Sequence, residues 1–473
     1  MITTARAPRG APAQVPSSLV STAVTKRRPT ARSRLGINYR RLWFASAISN
    51  FGDGVAGVAY PWLASAITRD PLQIALIGVA NRLPWLLFSL PAGVLTDRLD
   101  RRKIVATMDA FRFLLTLVVG LVVFAGREGL ATPGDIAAGT ATPHPNATAF
   151  LIMLYGSSLL FGFAEVLRDN AAQTLMPSIV DPEHLETANG RLWGAEMVMN
   201  SFVGPPAGGL LIAAGFALPF FVDAGTFAFG AALIFLITGS FRPPGARQER
   251  VDWRAEIGEG LRWLWNHRLL RAMALILGGM NAMLSMTMAT YVLFVQEILE
   301  LEATQFGLLM TAGALGGVAG SLLATRVSAA LGRGPSLFLS LIGSAITLAV
   351  TGATSSAIVV WAMFVVSSFL GVLWNVITVS LRQAIIPDGL LGRVNSVYRL
   401  LAWGTMPVGM VLGGAIVSLT EGWAGRELGL RMPFYGAAAI FLALFALALP
   451  RLGSEKIEAA RRAAISPEAQ DGG

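Results

Sequence analysis

Asp53, Arg82, Asp109, Arg112, Glu165, Arg168, Glu196 and Asp223 each interrupt an otherwise apolar stretch of a 473-residue chain. A carboxyl in apolar surroundings is hard to keep ionised, and a nearby arginine makes ionisation easier. Such a group can take up and release a proton as its surroundings change. Ionisable side chains inside lipid-spanning segments are costly, so each is a functional candidate. Helical rise places Asp53 roughly 20 Å and Arg82 roughly 15 Å into their segments, where the two could pair. Glu196 lies at similar depth. Glu165 and Arg168 stand three residues apart on one helical face, as do Asp109 and Arg112. Asp53, Glu165 and Glu196 are therefore expected in a proton or cargo pathway, with Arg82 and Arg168 as partners. Asp109–Arg112 is expected to be an ion pair tying helices together near one membrane surface, and Asp223 to lie near a helix end.

Other chemistries find little support. The chain has no cysteine, which excludes disulfides and thiolate catalysis. Its three histidines, His144, His184 and His267, fall in loops or at a helix border. No carboxylate or histidine cluster has metal-ligand spacing, and no GxxxxGK[ST] phosphate loop is present. An enzyme, a metal site and a cofactor are therefore not expected.

The elements that must hold these groups are membrane helices. The chain is 54% hydrophobic and only 14% charged, with a mean hydropathy of +0.60. Soluble domains carry about 25% charged residues. Apolar segments near 40–67, 72–95, 103–126, 149–176, 187–214 and 218–240 make one group of six. Those near 269–298, 304–328, 335–353, 357–384, 394–419 and 431–450 make another. The expected fold is an all-α membrane protein of about twelve transmembrane helices in two pseudo-symmetric six-helix bundles. The expected parts are a disordered cytoplasmic tail (1–36), a first bundle (37–240), a linker (241–268), a second bundle (269–452) and a cytoplasmic tail (453–473). In the linker Trp253, Ile257, Leu261, Leu264 and Trp265 recur at helical spacing, which predicts an amphipathic helix on the inner membrane face. The net charge of +9 does not point to nucleic acid. Its arginines and lysines sit in alternate loops and both tails, placing both termini in the cytoplasm of a cell (inner) membrane protein.

The halves echo one another. Gln173–Pro177 ends the fourth span as Gln383–Pro387 ends the tenth. Asn189 and Asn395 open the fifth and eleventh, which then reach Gly208-Gly209 and Gly413-Gly414. Duplicated halves suit a transporter that rocks around a central site.

Five local patterns carry a family resemblance. GVLTDRLDRRK after the second span resembles motif A of the major facilitator superfamily, with Gly93, Asp97, Arg98, Arg101 and Arg102 matching and Asp100 replacing a glycine. Gly93 would allow close helix approach, and in the family this latch closes the cytoplasmic side against the eleventh span, here beginning at Gly392-Arg393. Gly204-Pro205-Pro206-Ala207-Gly208-Gly209 resembles the GPxxGG motif C of its drug antiporters. With Asn50–Gly54, Asp109–Arg112 and IIPDGLLGRVNS, the chain is similar to the macrolide-efflux and enterobactin-exporter branch from about residue 37 to 451. The resemblance implies a monomeric secondary transporter that exports small amphiphilic compounds (drug, macrolide or siderophore-like) by proton antiport with alternating access. Its partners would be protons, membrane lipid and the small-molecule cargo. A proton-coupled importer or facilitator is the alternative, and a membrane sensor or enzyme the alternative of another class. In the second half Asn281, Trp374 and Asn375 are cavity candidates beside Met280, Met283, Met286 and Met288, adaptable linings for an apolar cargo.

Overall fold

The computed structural model describes residues 35–96, 98–137, 140, 142–239, 241 and 253–465. The expected tail over residues 1–34, Asp97, linker residues 242–252 and the tail beyond Ile465 lie outside them. The described residues from Gly36 to Ile465 belong to one compact unit.

In a bilayer every backbone amide and carbonyl must be satisfied within its own segment, so long apolar stretches fold as helices. The first half contains α1 (Ile37–Ile67), α2 (Pro71–Thr96), α3 (Arg101–Ala125), a short α4 (Pro133–Ala137) and α5 (Ala147–Ile179). It continues with α6 (Leu185–Met197), a π turn over Val198–Val203, α7 (Gly204–Ala214) and α8 (Leu218–Phe235). After α9 (Trp253–Asn266) the second half contains α10 (Arg268–Ala289), α11 (Tyr291–Glu297), α12 (Ala303–Leu331), α13 (Arg333–Ala353) and α14 (Ala357–Ile385). Next come α15 (Asp388–Trp403), α16 (Met406–Ala424), α17 (Arg426–Ala448) and α18 (Ser454–Ile465).

Among the described residues, eleven stretches are long and apolar enough to cross a membrane, counting α6–α7 and α15–α16 as one each. The twelfth is α1, 31 residues long. Its hydropathy is diluted by Ser46, Ser49, Gly52 and Gly54, all buried against neighbours rather than lipid. Twelve crossings put the start of α1 and the end of α17 on one face, called here the terminal face; the other is the far face.

Within the first half α1 packs on α7 and α8, α2 on α5, and α3 on α5 and α8. The second half repeats the plan, with α10 on α16 and α17, α12 on α14, and α13 on α14 and α17. The halves meet along α7–α12 and α2–α16. α9 lies against α15: a β-carbon at Gly260 would fall 2.8 Å from the Arg393 carbonyl oxygen, and Glu259 Oε2 accepts from Arg393 Nη1 at 2.5 Å. Leu264 is buried, while Leu261 and Trp265 are exposed. The final segment is not simply a tail. α18 packs on α13 and α14, with Ile457 buried and Glu458 paired with Arg333.

Candidate functional site

A cavity of about 850 Å³ runs from the terminal face deep between the halves. Its wall extends from Leu42 at the start of α1 to Ala64 near its end, and from Asn189 on α6 to Ile74 on α2. The first half supplies most of the lining and all of its charge: Asp53, Arg82, Arg112, Glu165, Arg168, Asp169 and Glu196. Among the described residues, the second half adds Met288, Ala289, Val292 and Met410.

A chain of alternating charges runs along the wall, with Asp109 set behind it. Asp53, a quarter exposed on α1, is paired with Arg112 on α3, which is fully buried. Arg112 also lies 3.6 Å from Asp109 Oδ1 on its own helix. That oxygen is 3.3 Å from Arg168 Nε on α5, and Arg168 Nη1 donates to Asp169 Oδ1 at 3.1 Å. The Arg112 guanidinium is held between the rings of Phe161 and Phe227, 4.5 Å and 4.0 Å from their centroids. Several atoms of the chain, among them both Asp109 oxygens and Arg168 Nη2, are buried without a hydrogen bond. The network is thus held by charge more than by saturated hydrogen bonds, which leaves its members room to exchange partners.

Asp53, Arg82, Glu165, Arg168 and Glu196 do share one cavity, but not in the expected pairs. Asp53 bonds to Arg112 instead of Arg82, because the long Arg112 side chain reaches α1 from α3, although α3 itself packs on α5 and α8. Arg168 turns to Asp109 and Asp169 instead of Glu165. Glu165 Oε2 instead accepts from Trp85 Nε1 at 3.5 Å. Asp109–Arg112 is part of the central network and not a surface tie. Arg112 lies eleven residues into α3, roughly 16 Å from the terminal face, and that arithmetic would have shown it.

The expected polar residues of the second half stand away from the cavity. Asn281 donates to the Ala402 carbonyl at 2.8 Å, tying α10 to α15. Trp374 is buried in the core, and neither it nor Asn375 lines the wall.

The glycine motif forms the seam between halves. A β-carbon at Gly208 would fall 2.7 Å from the Val55 carbonyl oxygen, and at Gly204 2.7 Å from Gly54 Cα, both on α1. At Gly209 it would fall 2.3 Å from the Ala303 carbonyl oxygen on α12, while Gly307 sits equally close to the Pro205 carbonyl oxygen. Backbones this near leave room for hydrogen only.

The motif after α2 behaves differently. A β-carbon at Gly93 would meet open space, so no close helix approach depends on it. Asp100 replaces the usual glycine and caps α3, accepting from the Arg102 and Lys103 amides. Arg101 donates to the Thr174 carbonyl on α5 at 3.0 Å, and Arg102 to the Ile237 carbonyl. Arg98 closes the turn through its amide, bonded to the Leu95 carbonyl.

A charge cluster on the far face was missing from the expectations. Arg69, after α1, pairs with Glu297 at the end of α11 and donates to Gln296 Oε1 at 2.6 Å. Arg426, opening α17, donates to both Glu297 oxygens at 2.9 and 3.0 Å, to Glu421 and to the Arg69 carbonyl at 2.9 Å. Gln296 Nε2 donates to Ser65 Oγ at 2.8 Å. These bonds join the halves where the cavity ends.

A two-bundle helical membrane protein with a deep, charge-lined cavity between its halves, closed at one face, has the architecture of a secondary transporter. The sequence pattern of the transmembrane secretion effectors, a family of major facilitator superfamily transporters, matches residues 33–468, and the chain belongs to that family. It is 26% identical over 421 residues to the multidrug efflux pump Tap of Mycolicibacterium fortuitum, covering 86% of this chain and 95% of that one. It is 25% identical over 366 residues to the enterobactin exporter EntS of Citrobacter koseri, covering 76% and 80%. A solved bacterial homologue of the iron transporter ferroportin shares the fold, with a TM-score of 0.66 at 19% identity over 89% of this chain and all of that one. A bacterial homologue of the lysosomal transporter Spinster gives 0.63 at 12% identity over 91% and 97%.

Proposed function

We propose that the protein exports small amphiphilic compounds across the cell membrane by alternating access, driven by protons moving the other way. The observation that carries this reading is Asp53: a carboxylate on the cavity wall, open to cargo on one side and held by the buried Arg112 on the other. Protonation of Asp53 would remove its hold on Arg112, which has Asp109 within reach as a second partner. A proton is thereby exchanged for a rearrangement of helices α1, α3 and α5. Outward direction is supported by the relatives, since Tap is an efflux pump and EntS an exporter. An amphiphilic cargo suits a cavity charged along α1, α5 and α6 and apolar where Met288, Val292 and Met410 face it. With the terminal face cytoplasmic, as the arginine distribution favours, the cavity is loaded from inside the cell, and no second subunit is needed to complete it.

The test is flux of a fluorescent amphiphilic dye in liposomes containing the full chain, with and without an imposed pH gradient. Dye movement should accelerate with the gradient, and Asp53→Asn should abolish the acceleration. Flux indifferent to the gradient in the wild-type protein would remove the antiport while leaving facilitated transport.

A further inference from the structure

Asp223 on α8 takes no part in the charge chain and does not line the cavity, yet it is almost completely buried, with 1% exposure. Its carboxyl is pressed against α1 beside Asp53. A β-carbon at Gly52 would fall 2.2 Å from both Asp223 Oδ1 and Thr226 Oγ1. Oδ1 has one weak contact, from Thr226 Oγ1 at 3.4 Å. Oδ2 is buried with no hydrogen-bond partner. No arginine or lysine among the described residues forms an ion pair with it.

The ionisable groups facing it from its packing partners do not supply a counter-charge. On α1 they are Asp53 and Tyr60. On α3 they are Asp109 and Arg112, and Arg112 is already committed to Asp53 and Asp109. On α5, Arg168 is committed to Asp109 and Asp169. α7, GPPAGGLLIAA, has no ionisable residue. The enclosed set therefore holds three carboxyls, Asp53, Asp109 and Asp223, against two guanidiniums, and Arg168 is further shared with Asp169 at the cavity wall. An ionised carboxylate that is buried, unpaired and nearly without hydrogen bonds is far less stable than its neutral acid.

We infer that Asp223 is a second proton-binding site, holding a proton on its carboxyl as the neutral acid while Asp53 holds Arg112. No bond other than O–H is involved. On release the proton passes to a neighbouring carboxylate or to water, and the carboxylate left behind becomes a competitor of Asp53 for Arg112. α8 carries the means to couple the two, because Phe227, one turn beyond Asp223, lies against the Arg112 guanidinium. The assignment goes beyond proton antiport: a buried neutral acid is required here whether or not flux is proton-driven.

Infrared spectroscopy of the full chain in liposomes at neutral pH tests it without any transport measurement. A protonated carboxyl in apolar surroundings gives a carbonyl stretch separate from amide and carboxylate bands, and it moves on exchange into D2O. The wild-type spectrum should contain this band, Asp223→Asn should lose the intensity of one carboxyl per chain, and Asp53→Asn, which frees Arg112 for Asp223, should weaken it. Asp223→Glu should displace the band without removing it, which keeps the test decisive if the asparagine variant fails to fold. An unchanged band in Asp223→Asn or Asp223→Glu, or no such band in the wild type, would overturn the assignment. Because Asp53→Asn addresses gradient-driven dye flux separately, failure of antiport and failure of this proton site give different results.

Discussion

Gly209 and Gly414 occupy matching positions in the two halves, and each presses on the opposite half. Gly209 on α7 meets Ala303 of α12, while Gly414 on α16 meets Leu72 of α2, where a β-carbon would fall 2.7 Å from its Cα. Their preceding glycines face inward: Gly208 meets Val55 of α1, and Gly413 meets Met286 of α10. The two-glycine step thus turns one residue toward its own bundle and the next toward the partner bundle.

Gly209→Ala should prevent α7 and α12 from closing, because the added methyl meets backbone that cannot rotate away. The expected cost is about 1–3 kcal/mol to this conformation. Spin labels on the far face of the two halves should report a longer distance in Gly209→Ala than in wild type. An unchanged distance distribution would show that the seam adapts.

Glu297→Gln should weaken the same closure electrostatically. It leaves Arg69 and Arg426 adjacent with reduced compensation, a change of about 1–3 kcal/mol for charge-assisted hydrogen bonds of partly buried groups. The same far-face distance should lengthen, and raising ionic strength should partly restore the wild-type value by screening the two arginines. A salt-independent response would assign the effect to packing.

Arg112→Met should destabilise the first half by about 3–5 kcal/mol, since it strands Asp53 without a cation and leaves Asp109 to Arg168 alone. Adding Asp53→Asn should recover part of the loss, because the stranded charge is then gone. Thermal unfolding of the three variants in one detergent makes the comparison, and simple additivity would contradict the pairing.

His267 gives a pH dependence outside the membrane-spanning segments. Its Nδ1 accepts the Leu270 amide and caps α10, and its ring stacks on Trp263. Burial holds its pKa below the usual histidine value. The unfolded chain therefore takes up the proton first on acidification. The cap is fully present above about pH 6.5 and is lost as pH falls through the depressed folded value. The wild-type melting temperature should drop between pH 7 and pH 5 by an amount reflecting about 1 kcal/mol, and His267→Asn should remove that part of the drop.

The helices were legible in the sequence because hydropathy and length set them directly, even to the start of α14 at Ala357. Depth was legible too: Asp53, Arg82, Glu165 and Glu196 reach one cavity. Partnership was not. Which arginine Asp53 meets depends on the rotation of α3 about its axis, and hydropathy does not report rotation when a helix is apolar nearly all round. The Arg69–Glu297–Arg426 cluster was hidden for another reason. Its members come from three separate helix ends, and each looks like an ordinary surface charge until the halves are brought together.

The π turn over Val198–Val203 sits between Glu196, which lines the cavity, and Gly204–Gly209, which form the seam. A π turn accommodates one residue more than an α-helix would in the same span. Winding the segment as regular α-helix with all its residues kept would rotate everything on one side by about 100° relative to the other. The carboxylate and the glycines could not then both keep their facing. This one-residue surplus sets the angular phase between cargo wall and closing surface, so the length of the segment carries information that its composition does not.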